Sequence, residues 1–196
     1  PIEDQNFGKF NLGYYSTRMD PNMKDSPREN MEDNLYECKK YAKEFGENSP
    51  NLLMYGSTGL GKTFLSTCIA DAVSARGFSV AYDTAINIIA AYETIKFGTG
   101  DGAAAAERAA RYERADLLII DDMGTEMGTA FTVSALYNLI NNRLMAHRPM
   151  IVNTNLLPDE LKKRYSPAVA SRLLGEFKQL RFFGDDIRML KSRMQR

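Results

Sequence analysis

The chain has 196 residues, 44% of them hydrophobic and 26% charged, with 25 basic and 25 acidic side chains. A chain of this size and composition is expected to fold as one globular domain with a substantial core, which excludes disordered and fibrous classes. No apolar run approaches the ~20 residues of a membrane span, and no positively charged leader opens the sequence, so a cytoplasmic protein without membrane contact is expected.

Residues 1–25 are polar and rich in aromatics, including Phe7, Phe10, Tyr14 and Tyr15, and show no clean period. They predict an irregular arm. Because the sequence opens on Pro1 rather than Met, an N-terminal part is expected to be missing. Ser26-Pro27-Arg28-Glu29 is a capping box with proline at the first helical position. The helix that follows would bury Met31, Leu35, Cys38, Ala42 and Phe45 and stop at Gly46.

Leu52-Leu53-Met54-Tyr55 reads as a buried strand running into Gly56-Ser57-Thr58-Gly59-Leu60-Gly61-Lys62-Thr63, which matches the phosphate-binding loop pattern at every position. Glycines let successive backbone N–H groups turn toward phosphate oxygens, and the N-terminus of the next helix, 64–76, adds partial positive charge. Lys62 would reach the β- and γ-phosphates and the Thr63 hydroxyl would hold Mg²⁺. The expected ligand is therefore Mg²⁺ with a nucleoside triphosphate, with the N-terminal arm near its base.

Residues 78–82 predict a second strand, 84–97 a helix, 98–102 a glycine-rich break, and 103–115 an alanine- and charge-rich helix. Leu117-Leu118-Ile119-Ile120 is apolar on both faces, as in an interior parallel strand, and delivers Asp121 and Asp122 where it emerges. Asp121 would contact Mg²⁺ and Asp122 would orient or deprotonate the attacking water. An amphipathic helix over 131–147 precedes a third polar-ended strand, Met150-Ile151-Val152-Asn153-Thr154-Asn155, where Asn155 could position the lytic water. Helices are expected at 158–165 and 169–177, a last strand at 180–183 and a helical basic tail. Residues 162–196 carry 10 basic and 3 acidic side chains, a surface suited to phosphate, nucleic acid or an acidic neighbour. Arg172 and Arg188 in this part are candidates for stabilising charge on a transferring phosphoryl group.

Cys38 and Cys68 lack metal-ligand spacing and read as reduced core thiols. The single histidine, His147, reads as a partner of a helix C-terminus. A small-molecule kinase is the competing phosphate-loop class, but 55 residues precede the loop and no substrate-binding signature or arginine-rich lid follows. Strands alternating with helices predict a five-stranded parallel sheet with helices on both faces.

Together these segments resemble the AAA+ ATPases, and within them the bacterial DnaC/DnaI helicase loaders and the related IstB transposition ATPases. The resemblance covers essentially the whole chain. It rests on Gly59-Leu60-Gly61-Lys62-Thr63-Phe64-Leu65, on Ile120-Asp121-Asp122-Met123-Gly124-Thr125-Glu126, on Thr154-Asn155-Leu156, on Ser171-Arg172-Leu173 and on Asp185-Asp186-Ile187-Arg188. Met123 stands where the family usually has leucine, a conservative change. The resemblance implies an arm over 1–25, an AAA+ ATPase domain over 26–196 with little or no separate lid, and ATP as the nucleotide. Gly56 to Phe64 and Arg188 would bind it, Arg188 as sensor 2 and Asn155 as sensor 1. Arg172 would be an arginine finger completing a neighbouring subunit's site, so self-association is implied. Loaders bring the segment before the acidic strand near single-stranded DNA, which points to Lys96 and Phe97, although Phe97 could equally be core. A replicative helicase is the implied partner; an N-terminal extension for binding it is not visible. An IstB-like transposition ATPase, or an ATP-gated binding switch with negligible hydrolysis, are the alternatives.

Overall fold

The computed structural model describes residues 6–195. Helix α1 (Pro27–Glu44) begins as its capping box predicts: the Ser26 hydroxyl accepts from Glu29 N at 3.2 Å, and the Glu29 carboxylate accepts from Ser26 N at 3.3 Å. Its apolar face buries Met31, Leu35, Cys38 and Ala42. Strand β1 (Asn51–Gly56) leads through the phosphate loop into α2 (Lys62–Ala75), then β2 (Val80–Thr84), α3 (Ala85–Phe97) and α4 (Gly102–Arg114). Strand β3 (Leu117–Met123), α5 (Ala130–Met145), β4 (Met150–Thr154), α6 (Pro158–Arg164), α7 (Pro167–Gly175), β5 (Phe177–Phe182) and α8 (Ile187–Met194) complete the chain.

The five strands are all parallel, in the order β2-β3-β4-β1-β5. The apolar runs bury both faces, and each successive residue serves the opposite core. Leu118 and Ile120 join Leu53, Val152 and Leu136 beneath α3, α4 and α5, while Leu117 and Ile119 join Leu52, Met54 and Leu65 beneath α1 and α2. Cys38 and Cys68 are free and buried. No helix among the described residues is long and apolar enough to cross a membrane.

Three boundaries differ from the sequence reading. The second strand starts at Val80, because Phe78 stacks edge-on against Phe45 at 5.0 Å instead of entering the sheet. The seventh helix starts at Pro167, capped by the Ser166 hydroxyl, and ends at Gly175. Phe177 belongs to β5, where it is buried on the opposite face from Leu180 and Phe182 and is set off from them by the exposed Lys178 and Gln179. Residues 6–25 form two short 3₁₀ turns, Phe7–Lys9 and Leu12–Tyr14, packed on α1 and the phosphate loop. The first five residues of the expected arm and residue 196 lie outside the described residues.

Candidate nucleotide site

The phosphate loop bends where only glycine fits. Gly56 (φ 130°) lies so close to the Phe182 carbonyl that a Cβ there would sit 1.9 Å from its oxygen. At Gly59 (φ 75°) a Cβ would sit 2.0 Å from the Asp186 carboxylate. Leu60 is buried and its carbonyl accepts from the Tyr15 hydroxyl at 2.7 Å, which ties the N-terminal arm to the loop. The arm's Phe10 ring lies between Tyr15 (5.7 Å) and Phe64 (5.6 Å).

Lys62 is buried at the start of α2, and its ammonium donates to the Gly56 and Ser57 carbonyls, both at 2.7 Å. Burial pulls its pKa down to about 8, against the opposing pull of Asp122 and Asp121. The Thr63 hydroxyl donates to Asp121 at 3.0 Å. A hydroxyl and a carboxylate converging at this distance are hard oxygen donors of the kind Mg²⁺ takes, so the residues present fit that ion.

The acidic strand does not simply end at its two aspartates, as the sequence suggested. It runs on to Met123, with a register shift against β4 between Ile120 and Met123 and a left-handed Asp122 (φ 52°). This kink sends the carboxylates to different places. Asp121 is 4% exposed and lies under the loop, while Asp122 is exposed to the cavity. Burial, and next to it the charge of Asp121, raises the Asp122 pKa above the usual carboxylate range; Lys62 and Arg188 oppose the rise.

One cavity therefore gathers Thr58 to Phe64, Asp121, Asp122, Asn155 and Arg188. It also takes in residues that periodicity did not single out. Lys191 of α8 lies over the Tyr14 ring at 4.9 Å. The α8 N-terminus is moored to the loop by Ile187 N donating to the Gly59 carbonyl at 3.0 Å. Asn153, buried mid-strand, donates to Asp121 at 3.1 Å and pairs with Ser66. A polar side chain inside an otherwise apolar parallel strand was the available signal, since such a group must find a partner.

Arg172 is not part of this cavity. It sits in a cleft with Asn51 and Pro149, at the opposite ends of β1 and β4 from the phosphate loop, and pairs with Glu176 at 3.4 Å. Lys96 and Phe97 do not line this cavity either. Phe97 is 63% exposed, which excludes the core alternative, and its ring lies 5.5 Å from Phe131. His147 follows the C-cap of α5 in a left-handed conformation (φ 52°).

The comparisons agree with this architecture. The family model described as IstB-like ATP binding protein matches residues 37–193. The replicative helicase loader DnaC of Escherichia coli K12 is 25% identical over 140 residues, 71% of this chain and 56% of that protein. A putative ATP-binding protein in an insertion sequence of Mycobacterium tuberculosis H37Rv, Rv3427c, is 27% identical over 63% of this chain and 48% of its own length. The chain thus spans about half the length of the curated relatives it matches. A crystal structure of the DnaC helicase loader superposes with a TM-score of 0.71 at 16% identity, covering 93% of this chain and 98% of the other. The resemblance read from the motifs holds, and the chain belongs to the IstB-like ATP-binding family of AAA+ proteins.

Proposed function

We propose that this chain is the ATPase module of a replicative helicase loader, binding Mg²⁺ and ATP and coupling nucleotide state to single-stranded DNA and helicase binding. The observation that carries the catalytic part is the meeting of Thr63 and Asp121 at 3.0 Å beneath a phosphate loop, with Asp122 in the same cavity. Lys62 would exchange its two backbone carbonyl partners for phosphate oxygens. Thr63 and Asp121 would hold Mg²⁺, which would supply positive charge to offset that of the phosphates. Asp122, with its raised pKa, is suited to take a proton from the attacking water, and Asn155 to hold that water. Arg188 would rest on the phosphates from α8.

The position of Arg172 supports a site shared between subunits. It lies at the opposite end of the sheet from its own loop, so it could serve a phosphate only in a neighbouring copy. Turnover would then be slow in the monomer and rise on assembly. The exposed Phe97 ring beside Lys96 offers a stacking surface and a cation, which suits single-stranded DNA. Kinship with Rv3427c keeps a second reading in play, an ATPase that serves a transposase.

The test is steady-state ATP hydrolysis with and without single-stranded DNA for wild type, Lys62→Ala, Arg172→Ala and Phe97→Ala. Stimulation by DNA that disappears in all three variants, with ATP binding kept in Arg172→Ala and Phe97→Ala, is the expected result. Wild type that binds ATP yet never turns over would replace the enzyme with a nucleotide-gated switch. Capture of a purified transposase in preference to a purified replicative helicase would favour the second reading.

A further inference from the structure

Asp121 is held from several elements at once. The Thr63 hydroxyl reaches both of its oxygens, Asp122 N and Asn153 Nδ2 reach Oδ1, and the Tyr82 hydroxyl donates to Oδ2 at 2.7 Å. Of these, Tyr82 comes from the edge of the sheet. Strand β2 pairs Tyr82 with Ile119 and Thr84 with Asp121, so Tyr82 points to the same face as Asp121, one pleat back, and its ring spans the gap. The phenol is mostly buried beside α2, and burial together with Asp121 pushes its pKa above the usual tyrosine range.

We infer that Tyr82 is a positioning residue for the metal: it fixes the rotation of the Asp121 carboxylate so that the oxygen lone pairs left over face the Thr63 hydroxyl. The inference rests on the reading that Asp121 serves Mg²⁺. A carboxylate held at only one oxygen swings about its Cβ–Cγ bond, and each swing must be frozen again when the ion binds. Tyr82 at Oδ2 and Asn153 at Oδ1 remove that freedom in advance. Neither touches the phosphate loop's own anion-binding backbone, so their effect belongs to the metal alone.

Binding of the fluorescent analogue mant-ATP, measured in EDTA and in saturating MgCl₂, separates the possibilities. The quantity read is the factor by which Mg²⁺ tightens binding, for wild type, Tyr82→Phe and Asp121→Asn. Tyr82→Phe keeps the ring and removes only the donor. The expected result is an unchanged affinity in EDTA and a Mg²⁺-dependent gain reduced about tenfold, the lower end of the range for losing an outer-shell partner of a metal ligand. Asp121→Asn should lose at least as much. If Asp121→Asn loses the gain and Tyr82→Phe keeps it in full, Tyr82 has no such role and the metal reading stands. Equal weakening of Tyr82→Phe with and without Mg²⁺ would assign it to packing alone and overturn the inference. A full gain in Asp121→Asn would overturn the metal reading and the inference with it.

Discussion

The buried Lys62 predicts a proton-coupled nucleotide affinity. Lys62 is 7% exposed and its ammonium titrates at about 8 in the free protein, because burial removes water that two backbone carbonyls only partly replace. Phosphate oxygens arriving at the ammonium stabilise its charged form, so the pKa in the complex lies higher. A base whose pKa rises on binding takes up a proton when the pH lies between the two values. Affinity is therefore full below pH 8 and falls as pH rises through 8, by up to tenfold per unit, or about 1.4 kcal/mol. Between pH 7 and pH 9 the expected loss is roughly tenfold, since a group with a pKa of 8 is then about nine-tenths deprotonated. A phosphate monoester has its second pKa near 6, so the ligand's own titration is already about nine-tenths complete at pH 7 and adds little across this window. Fluorescence titration of mant-ATP across pH 7–9.5 reads the affinity, and calorimetry at pH 9 in two buffers of different ionisation enthalpy reads the proton uptake. Lys62→Arg, which stays charged, should bind with a flat profile. Wild-type affinity that is equally flat to pH 9, with no proton uptake, would refute the buried-lysine argument.

Two further predictions concern the frame around the site. Arg143 is fully buried and donates from Nη1 to the Tyr112 and Ala115 carbonyls, both at 2.9 Å, and from Nη2 to the Pro149 carbonyl at 2.8 Å, closing the end of α4 onto the entrances of β3 and β4. Arg143→Met would leave at least two buried carbonyls short of a donor, at about 1–3 kcal/mol each. Thermal unfolding followed by circular dichroism should show a drop of roughly 4–24 °C, from about 2–4 °C per kcal/mol for a chain of this size; a drop of less than 2 °C would contradict it. Gly59→Ala would force a left-handed alanine into the Asp186 carboxylate that caps α8, costing about 1–3 kcal/mol. Nucleotide affinity should fall as α8 is pushed off the loop with Arg188 and Lys191, and an unchanged affinity by mant-ATP titration would show that α8 does not depend on this contact.

The features legible in the sequence are those whose cause is local. The phosphate loop could be read because its glycines, lysine and threonine must follow one another in a fixed order to turn a backbone around phosphate. The start of α1 was legible from Ser26 and Glu29, and the interior strands from unbroken apolar runs such as Leu117 to Ile120. Where local signals competed, the reading slipped. Phe78 looks like the start of a strand until Phe45 offers its ring a better surface, and the β5 start at Phe177 is cut off from Leu180 by two exposed polar residues.

The supports of Asp121 could not be read in this way, because nothing local joins them. Tyr82, Asn153 and Ser66 lie on β2, β4 and α2, and only the order β2-β3-β4-β1-β5 brings them around one carboxylate. The same order sends Arg172 to the far end of the sheet from its own loop, a fact its spacing from Lys62 does not contain. Hydrogen bonding and packing act over a few ångströms in space, whatever the separation along the chain. The phosphate loop was therefore written in consecutive residues, while the hydrogen bonds that hold Asp121 beneath it came into being only when the sheet assembled.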